Sequence, residues 1–191
     1  LMDDIELMST PINYISYQVR ATDQRKHEVQ IYFSANPLQA VNKDTQPTIT
    51  TMGNEGGVRY VRTGTIEQPI LAKTGDGICI DWGYVYLSGV NGRLSLASDN
   101  DVKTQFLADG RLPRGEREVV CQKQVSLPTL AYVHDFGSTA QASSFAMIGY
   151  DEIWDIEYFY KRYKVYWAHE GSVSIFDMFD RMKNNYTSIM Q

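Results

Sequence analysis

The stretch from Ser143 to Trp167, SSFAMIGYDEIWDIEYFYKRYKVYW, packs aromatic and aliphatic residues more densely than any other part of the chain. It holds no proline and a single glycine, Gly149. Leaving such a run in water would forfeit about 1.5–3 kcal/mol per large apolar side chain. It therefore reads as one or two central strands of a buried sheet, ending in a link to the C-terminal tail. The rest of the chain has to supply partners for it.

Period-two patterning supplies them. In Ile12–Arg20, Ile15, Tyr17 and Val19 face one way while Tyr14, Ser16 and Gln18 face the other. After the polar run ATDQRKH, the segment EVQIYFSA alternates with Val29, Ile31, Phe33 and Ala35 on one side. Two such strands around a short charged turn predict an antiparallel hairpin. Thr48–Thr51 reads as a short strand, the glycine-rich piece 53–57 as a loop, and Val58–Thr65 as another alternating strand. Thr74-Gly75-Asp76-Gly77 is a turn. Ile78–Leu87 is apolar on both faces, as in a strand covered on both sides. Asn91-Gly92 marks a tight turn. Asp99–Arg117 reads as a polar loop around a short segment, Val102–Leu107, and Val119–Val133 as one or two strands interrupted by Pro128.

The period changes in the tail. Ile175, Phe179, Met182, Tyr186 and Ile189 are spaced as one stripe of a helix, and Ser174 with Asp177 forms a capping-box-like start. Nine or more strands followed by one terminal helix predict a mainly β protein, an antiparallel, supersandwich-like β-sandwich with a C-terminal linker helix. The sandwich is expected over 1–170 and the helical linker over 171–191. That helix must bury its stripe against the sandwich or against a further domain. The opening Leu1-Met2-Asp3-Asp4-Ile5 resembles neither a signal peptide nor a natural start, and Gln191 ends a helical pattern, so an excised piece of a longer polypeptide is expected.

Length and composition agree with this reading. A chain of 191 residues suits one domain with a short appendage, and its 13 tyrosines and 14 glycines suit pleated surfaces and turns. The net charge of −5 is spread along the chain, which argues against the basic stripe of a nucleic-acid binder. No apolar run approaches a membrane span. Cys79 and Cys121 read as two buried free thiols, or as one disulfide. Together with the scattered His27, His134 and His169 they do not make a zinc site, and no metal or cofactor is expected.

Few residues suggest chemistry. Asp151, Glu152, Asp155 and Glu157 form an acidic cluster. In extended chain Asp151, Asp155 and Glu157 share one face, fit for acid–base work or a cation, or simply a solvated face opposite Trp154, Ile156 and Tyr158. Asp151, after Gly149-Tyr150, can instead tie down backbone amides. Asp81, beside Trp82 in an apolar run, needs a hydrogen-bond partner. His134-Asp135 resembles half of a triad, but neighbours on a strand point to opposite faces and no serine or cysteine sits in a nucleophile elbow. The glycine clusters do not match a phosphate-binding loop. Asn185-Tyr186-Thr187 is a glycosylation sequon only in form. Exposed tyrosine and tryptophan would suit a sugar-stacking surface; core packing is the plainer reading.

Several pieces together resemble one family. They are Leu1-Met2-Asp3-Asp4 leading to Pro11-Ile12-Asn13-Tyr14-Ile15, Val19-Arg20-Ala21-Thr22-Asp23, and His27-Glu28-Val29-Gln30-Ile31-Tyr32-Phe33. Ala40-Val41-Asn42, Gly64-Thr65 and Asp81-Trp82-Gly83-Tyr84 follow. Then come Met147-Ile148-Gly149-Tyr150-Asp151-Glu152-Ile153, Tyr158-Phe159, Tyr166-Trp167 and Phe176-Asp177. In this order they are similar to the N-terminal region of the glutaminase A family, secreted proteins of fungi and bacteria. The resemblance implies a β-sandwich placed before a large α-helical, toroid-like domain, with early strands of the sandwich missing here. It implies an extracellular or periplasmic protein that hydrolyses L-glutamine to glutamate and ammonia, with catalysis mainly on the helical domain. No catalytic residue carries over. If a loop of the sandwich reaches the substrate, Tyr150, Asp151 and Glu152 are the expected contributors. Two other readings stay open: a glycan-binding module of a carbohydrate-active enzyme, and a structural spacer.

Overall fold

The computed structural model describes residues 3–122 and 127–190. Part of the predicted 119–133 strand region, the first two residues and the last one lie outside the described residues. In chain order the elements are α1 (Ile5–Ser9), β1 (Ile12–Arg20), β2 (His27–Ala35), β3 (Thr48–Glu55), β4 (Val58–Thr65), β5 (Tyr84–Gly89) and β6 (Arg93–Ser98). They continue with α2 (Asp99–Asp109), β7 (Glu118–Cys121), β8 (Pro128–Thr139), β9 (Gln141–Asp151), β10 (Ile156–Tyr158), β11 (Lys161–Tyr163) and α3 (Ile175–Ile189). A six-stranded sheet runs β1-β9-β5-β4-β3-β7 and a three-stranded sheet runs β2-β8-β6, with every pairing antiparallel. The protein is a mainly β, antiparallel sandwich with a C-terminal helix.

The two sheets bury one core between them, built on Val61, Leu87, Leu96, Leu130, Tyr132 and Ala146. A second core lies on the other face of the six-stranded sheet. There Ile12, Tyr86, Phe145 and Met147 receive Ile175, Met178, Phe179 and Met182 of α3. The predicted stripe of α3 is therefore buried on the sandwich itself. Ser174 and Asp177 form the reciprocal capping box at its start. Tyr14 donates its hydroxyl to the Met182 carbonyl at 2.6 Å, and Tyr186 stacks on Phe145 at 3.8 Å between ring centres. Gly149 permits this approach, because a Cβ there would stand 3.2 Å from the Phe179 ring.

Alternation locates β1 and β2 within a residue, but the predicted hairpin does not form. β1 pairs with β9 and β2 with β8, so the two strands lie in different sheets. Ile15 and Tyr17 of β1 and Phe33 of β2 all pack against the same inter-sheet core. Both strands carry an apolar face, and facing each other buries both faces at once. The β8–β9 connection makes the same crossing through Ala140 alone, and Ala21 N–H donates to the Ala140 carbonyl at 2.8 Å.

Other expectations need correction. The strand predicted over Ile78–Leu87 begins only at Tyr84, and Ile78 and Ile80 are exposed. Piece 53–57 is not a free loop: Gly53, Asn54 and Glu55 lie in β3, and Gly56-Gly57, both with positive φ, make the two-residue turn into β4. Residues 99–109 are helical, capped by Ser98 on the Asp101 amide and by left-handed Gly110, so the described residues hold three α-helices. Pro128 opens β8 rather than interrupting a strand, which suits a residue without a donor. Cys79 is exposed and Cys121 buried, and no disulfide joins them.

The largest correction falls on the 143–167 stretch. Its first part is the central strand β9, but the sheet ends at Asp151. Beyond it, β10 and β11 form a separate two-stranded hairpin with Ile156, Tyr158, Phe159 and Tyr160 all exposed. The acidic residues therefore do not share a strand face, and Ile156 and Tyr158 do not enter the core.

Candidate functional site

Tyr150, Asp151 and Glu152 lie where β9 leaves the sheet beside β5, with Val85 opposite Tyr150 and Tyr84 opposite Asp151. The approach depends on Gly83, whose φ is +78° and whose missing Cβ would stand 2.1 Å from the Asp151 carbonyl oxygen. Tyr150 donates its hydroxyl to the Trp82 carbonyl at 2.6 Å, and Trp82 donates its indole N–H to the Trp154 carbonyl at 3.0 Å. Asp151 Oδ1 accepts the Ile153 amide at 2.9 Å, holding Ile153 at φ 66°. Left-handed backbone is uncommon for a β-branched residue, so this carboxylate ties down a strained corner.

Next to this corner, buried Asp81 is satisfied. Its carboxylate accepts from Lys73 Nζ and from Gln46 Nε2, the latter at 2.8 Å, and its carbonyl accepts the Thr65 hydroxyl at 2.6 Å. Burial, and then the charges of Glu152, Asp81 and Asp151, push the Tyr150 hydroxyl well above the usual phenol range. It is a fixed donor. Burial first, then Asp155 and Asp151, push the Glu152 carboxyl up, against the pull of its own backbone amide.

A carboxyl whose folded pKa lies above its unfolded value adds stability below the unfolded value. That contribution is lost as pH rises through the folded one. Glu152→Gln is therefore expected to raise the thermal midpoint at neutral pH and to leave it unchanged in acid below the ordinary value of 4.5. Melting curves of both proteins at the two pH values check this.

Tyr150 and Asp151, as neighbours on β9, point to opposite faces of the sheet. The structure thus gives the three predicted residues separate surroundings: Tyr150 and Asp151 hold backbone, and Glu152 is the perturbed acid. His134 Nδ1 meets the Tyr17 hydroxyl at 2.9 Å, whereas Asp135 accepts from Gln30 Nε2 at 3.1 Å and the Gly137 amide at 2.8 Å. The His134-Asp135 pair is no dyad. His27 bonds Asp23 at 2.9 Å and His169 bonds Glu6 at 3.1 Å, far apart in sequence from His134. Among the described residues no cluster of three or more His, Cys, Asp or Glu is arranged to hold a metal ion.

The feature missed from the sequence is the tip of the β10–β11 hairpin. Phe159 and Tyr160 are its two turn residues, with φ of 47° and 62°. Asparagine and glycine normally fill such a turn. Left-handed backbone costs roughly 1–2 kcal/mol for each ordinary residue, yet here two large aromatics occupy it, 81% and 97% exposed. Tyr158 meets Phe159 edge-on, the rings inclined at 66°, and Lys164 Nζ lies 4.5 Å from the Trp154 ring centre. Trp82 and Trp167 are buried, so neither joins an exposed, coplanar pair of rings.

The family described as "Domain of unknown function (DUF5127)" matches residues 1–191. The chain belongs to the DUF5127 family. No curated protein matches it. For this DUF5127 chain, the arrangement around Tyr150–Glu152 positions backbone and loops, and the hairpin tip presents apolar surface. No helix among the described residues is long and apolar enough to cross a membrane.

Proposed function

We propose that this domain is a non-catalytic β-sandwich module of a glutaminase-like amidohydrolase, supporting an α-helical catalytic domain of the same parent chain. The observation that carries the reading is the hairpin tip. Phe159 and Tyr160 sit at strained positions and in water, a double cost that an isolated domain gains nothing from. An apolar surface on the helical domain would offset it by covering both rings. A two-stranded hairpin alone is marginal in water, so the same contact would also order β10 and β11. Tyr150, Asp151 and Glu152 stand at the root of this hairpin and form the loop that would lie nearest the junction. L-Glutamine, hydrolysed to glutamate and ammonia outside the cell or in the periplasm, is the expected substrate of the whole protein, on the strength of the resemblance in Met147–Ile153 and its companion segments. The test is ammonia release from L-glutamine by the 191-residue chain and by its full-length parent.

A further inference from the structure

A cavity of about 650 Å³ opens on the outer face of the three-stranded sheet, sharing no residue with the Tyr150–Glu152 corner. Gln30, Arg93 and Asp135 line it from the sheet side, and Asp109, Gly110 and Arg111, at the end of α2, form its wall. The volume falls within the range of small-molecule sites, about 300–1,000 Å³. Gly110, left-handed at φ +69°, closes α2 so tightly that a Cβ would collide with the Gln30 amide oxygen at 1.8 Å. The end of α2 thus lies against the Gln30 side chain of β2, and the two together border the cavity.

The polar groups are unequally committed. Asp135 is held by Gln30 Nε2 at 3.1 Å and the Gly137 amide at 2.8 Å; the same two bonds, amide first, and the nearby Arg93 charge keep it ionised below the usual carboxylate range. Asp109 accepts the Arg111 amide at 3.0 Å and Gln105 Nε2 at 2.8 Å. Each carboxylate oxygen keeps a further lone pair. Neither Arg93 nor Arg111 has a carboxylate oxygen within 4.0 Å among the described residues. Two guanidinium forks without a carboxylate therefore share a cavity with two fixed acceptors, and the four charges sum to zero.

From this we infer that the cavity binds a small acidic sugar: a uronic acid, free or at the end of a short glycan. Its carboxylate matches the planar fork of Arg93 or Arg111. Its hydroxyls can donate to Asp109 and Asp135 and accept from the remaining guanidinium N–H groups. A neutral hexose leaves the forks unpaired, and a phosphate dianion brings a second negative charge with at most one hydroxyl to donate to the two carboxylates.

Titration of the isotope-labelled chain, followed by NMR, tests this with D-glucuronate, D-glucose, inorganic phosphate and L-glutamine as probes. D-Glucuronate should shift the Gly110 and Gly137 amides saturably, and the other three should bind at least ~10-fold more weakly. Both arginines are exposed, so an Arg93→Ala/Arg111→Ala double variant should keep its melting temperature and lose glucuronate affinity by ~10-fold or more. The assignment fails if glucuronate gives no saturable shift, or if the double variant binds it unchanged. It fails equally if glucose, phosphate or L-glutamine binds as tightly. None of these outcomes depends on whether the parent hydrolyses glutamine.

Discussion

Phe179→Ala is expected to destabilise the chain by about 3–5 kcal/mol, the usual cost of emptying a buried phenylalanine site. Phe179 is fully buried, in the centre of the core beneath α3, with its ring 6.1 Å from that of Tyr86 and closely apposed to Gly149. The surroundings are poorly placed to collapse: the backbone at Gly149 is fixed by strand pairing, and the Tyr86 hydroxyl is held by Arg62 Nη1 at 3.2 Å. Lys183, exposed on the same helix, serves as control: Lys183→Ala should change stability by about 0.5 kcal/mol or less. Urea unfolding of the two variants measures both. A helix that served only as a tether would give two equally small effects.

Gly83→Ala is expected to cost about 3–4 kcal/mol, from two separable sources. One is the left-handed backbone at φ +78°, and the other is the collision of the new methyl with the Asp151 carbonyl at 2.1 Å and Glu152 Cα at 2.7 Å. Relief requires the end of β9 to move off β5, which breaks the Tyr84–Asp151 pairing and pulls the Tyr150 hydroxyl from the Trp82 carbonyl. Gly57→Ala isolates the first source. Its φ is +82°, but nothing lies within 4 Å of the added methyl, so only the backbone strain of about 1–2 kcal/mol is expected. The difference between the two substitutions, read from urea midpoints, measures how firmly the corner at Tyr150–Glu152 is built.

How far the sequence reveals these features depends on the range of the physics behind each. Alternation is local, so β1, β2, β4 and the stripe of α3 can be read directly from residues such as Ile15, Tyr17 and Phe179. Pairing is not local. Nothing within 12–35 distinguishes a hairpin from two strands that face each other across a core, because either arrangement buries Ile15 and Phe33. Helix α2 is hidden for the opposite reason: only Val102 is buried along it, so no apolar stripe exists, and the caps at Ser98 and Gly110 are its sole signal. Apolar density misleads in 156–160, where Ile156, Tyr158, Phe159 and Tyr160 mark surface rather than core. Of the candidate residues, Asp81 and Asp151 are recognisable as backbone- and partner-bound carboxylates from their neighbours. The cavity around Arg93 and Arg111 is not, since its walls come from strands and a helix end that meet only in the folded chain.

Ammonia release from L-glutamine is the measurement that bears most directly on the proposed role of the domain, made side by side on this 191-residue chain and on its full-length parent. Release by the parent and none by the chain alone is the expected result. Release by the isolated chain would contradict a non-catalytic role and would turn attention to Glu152, the carboxyl that burial holds above its ordinary pKa; an inactive parent would contradict the glutaminase assignment itself.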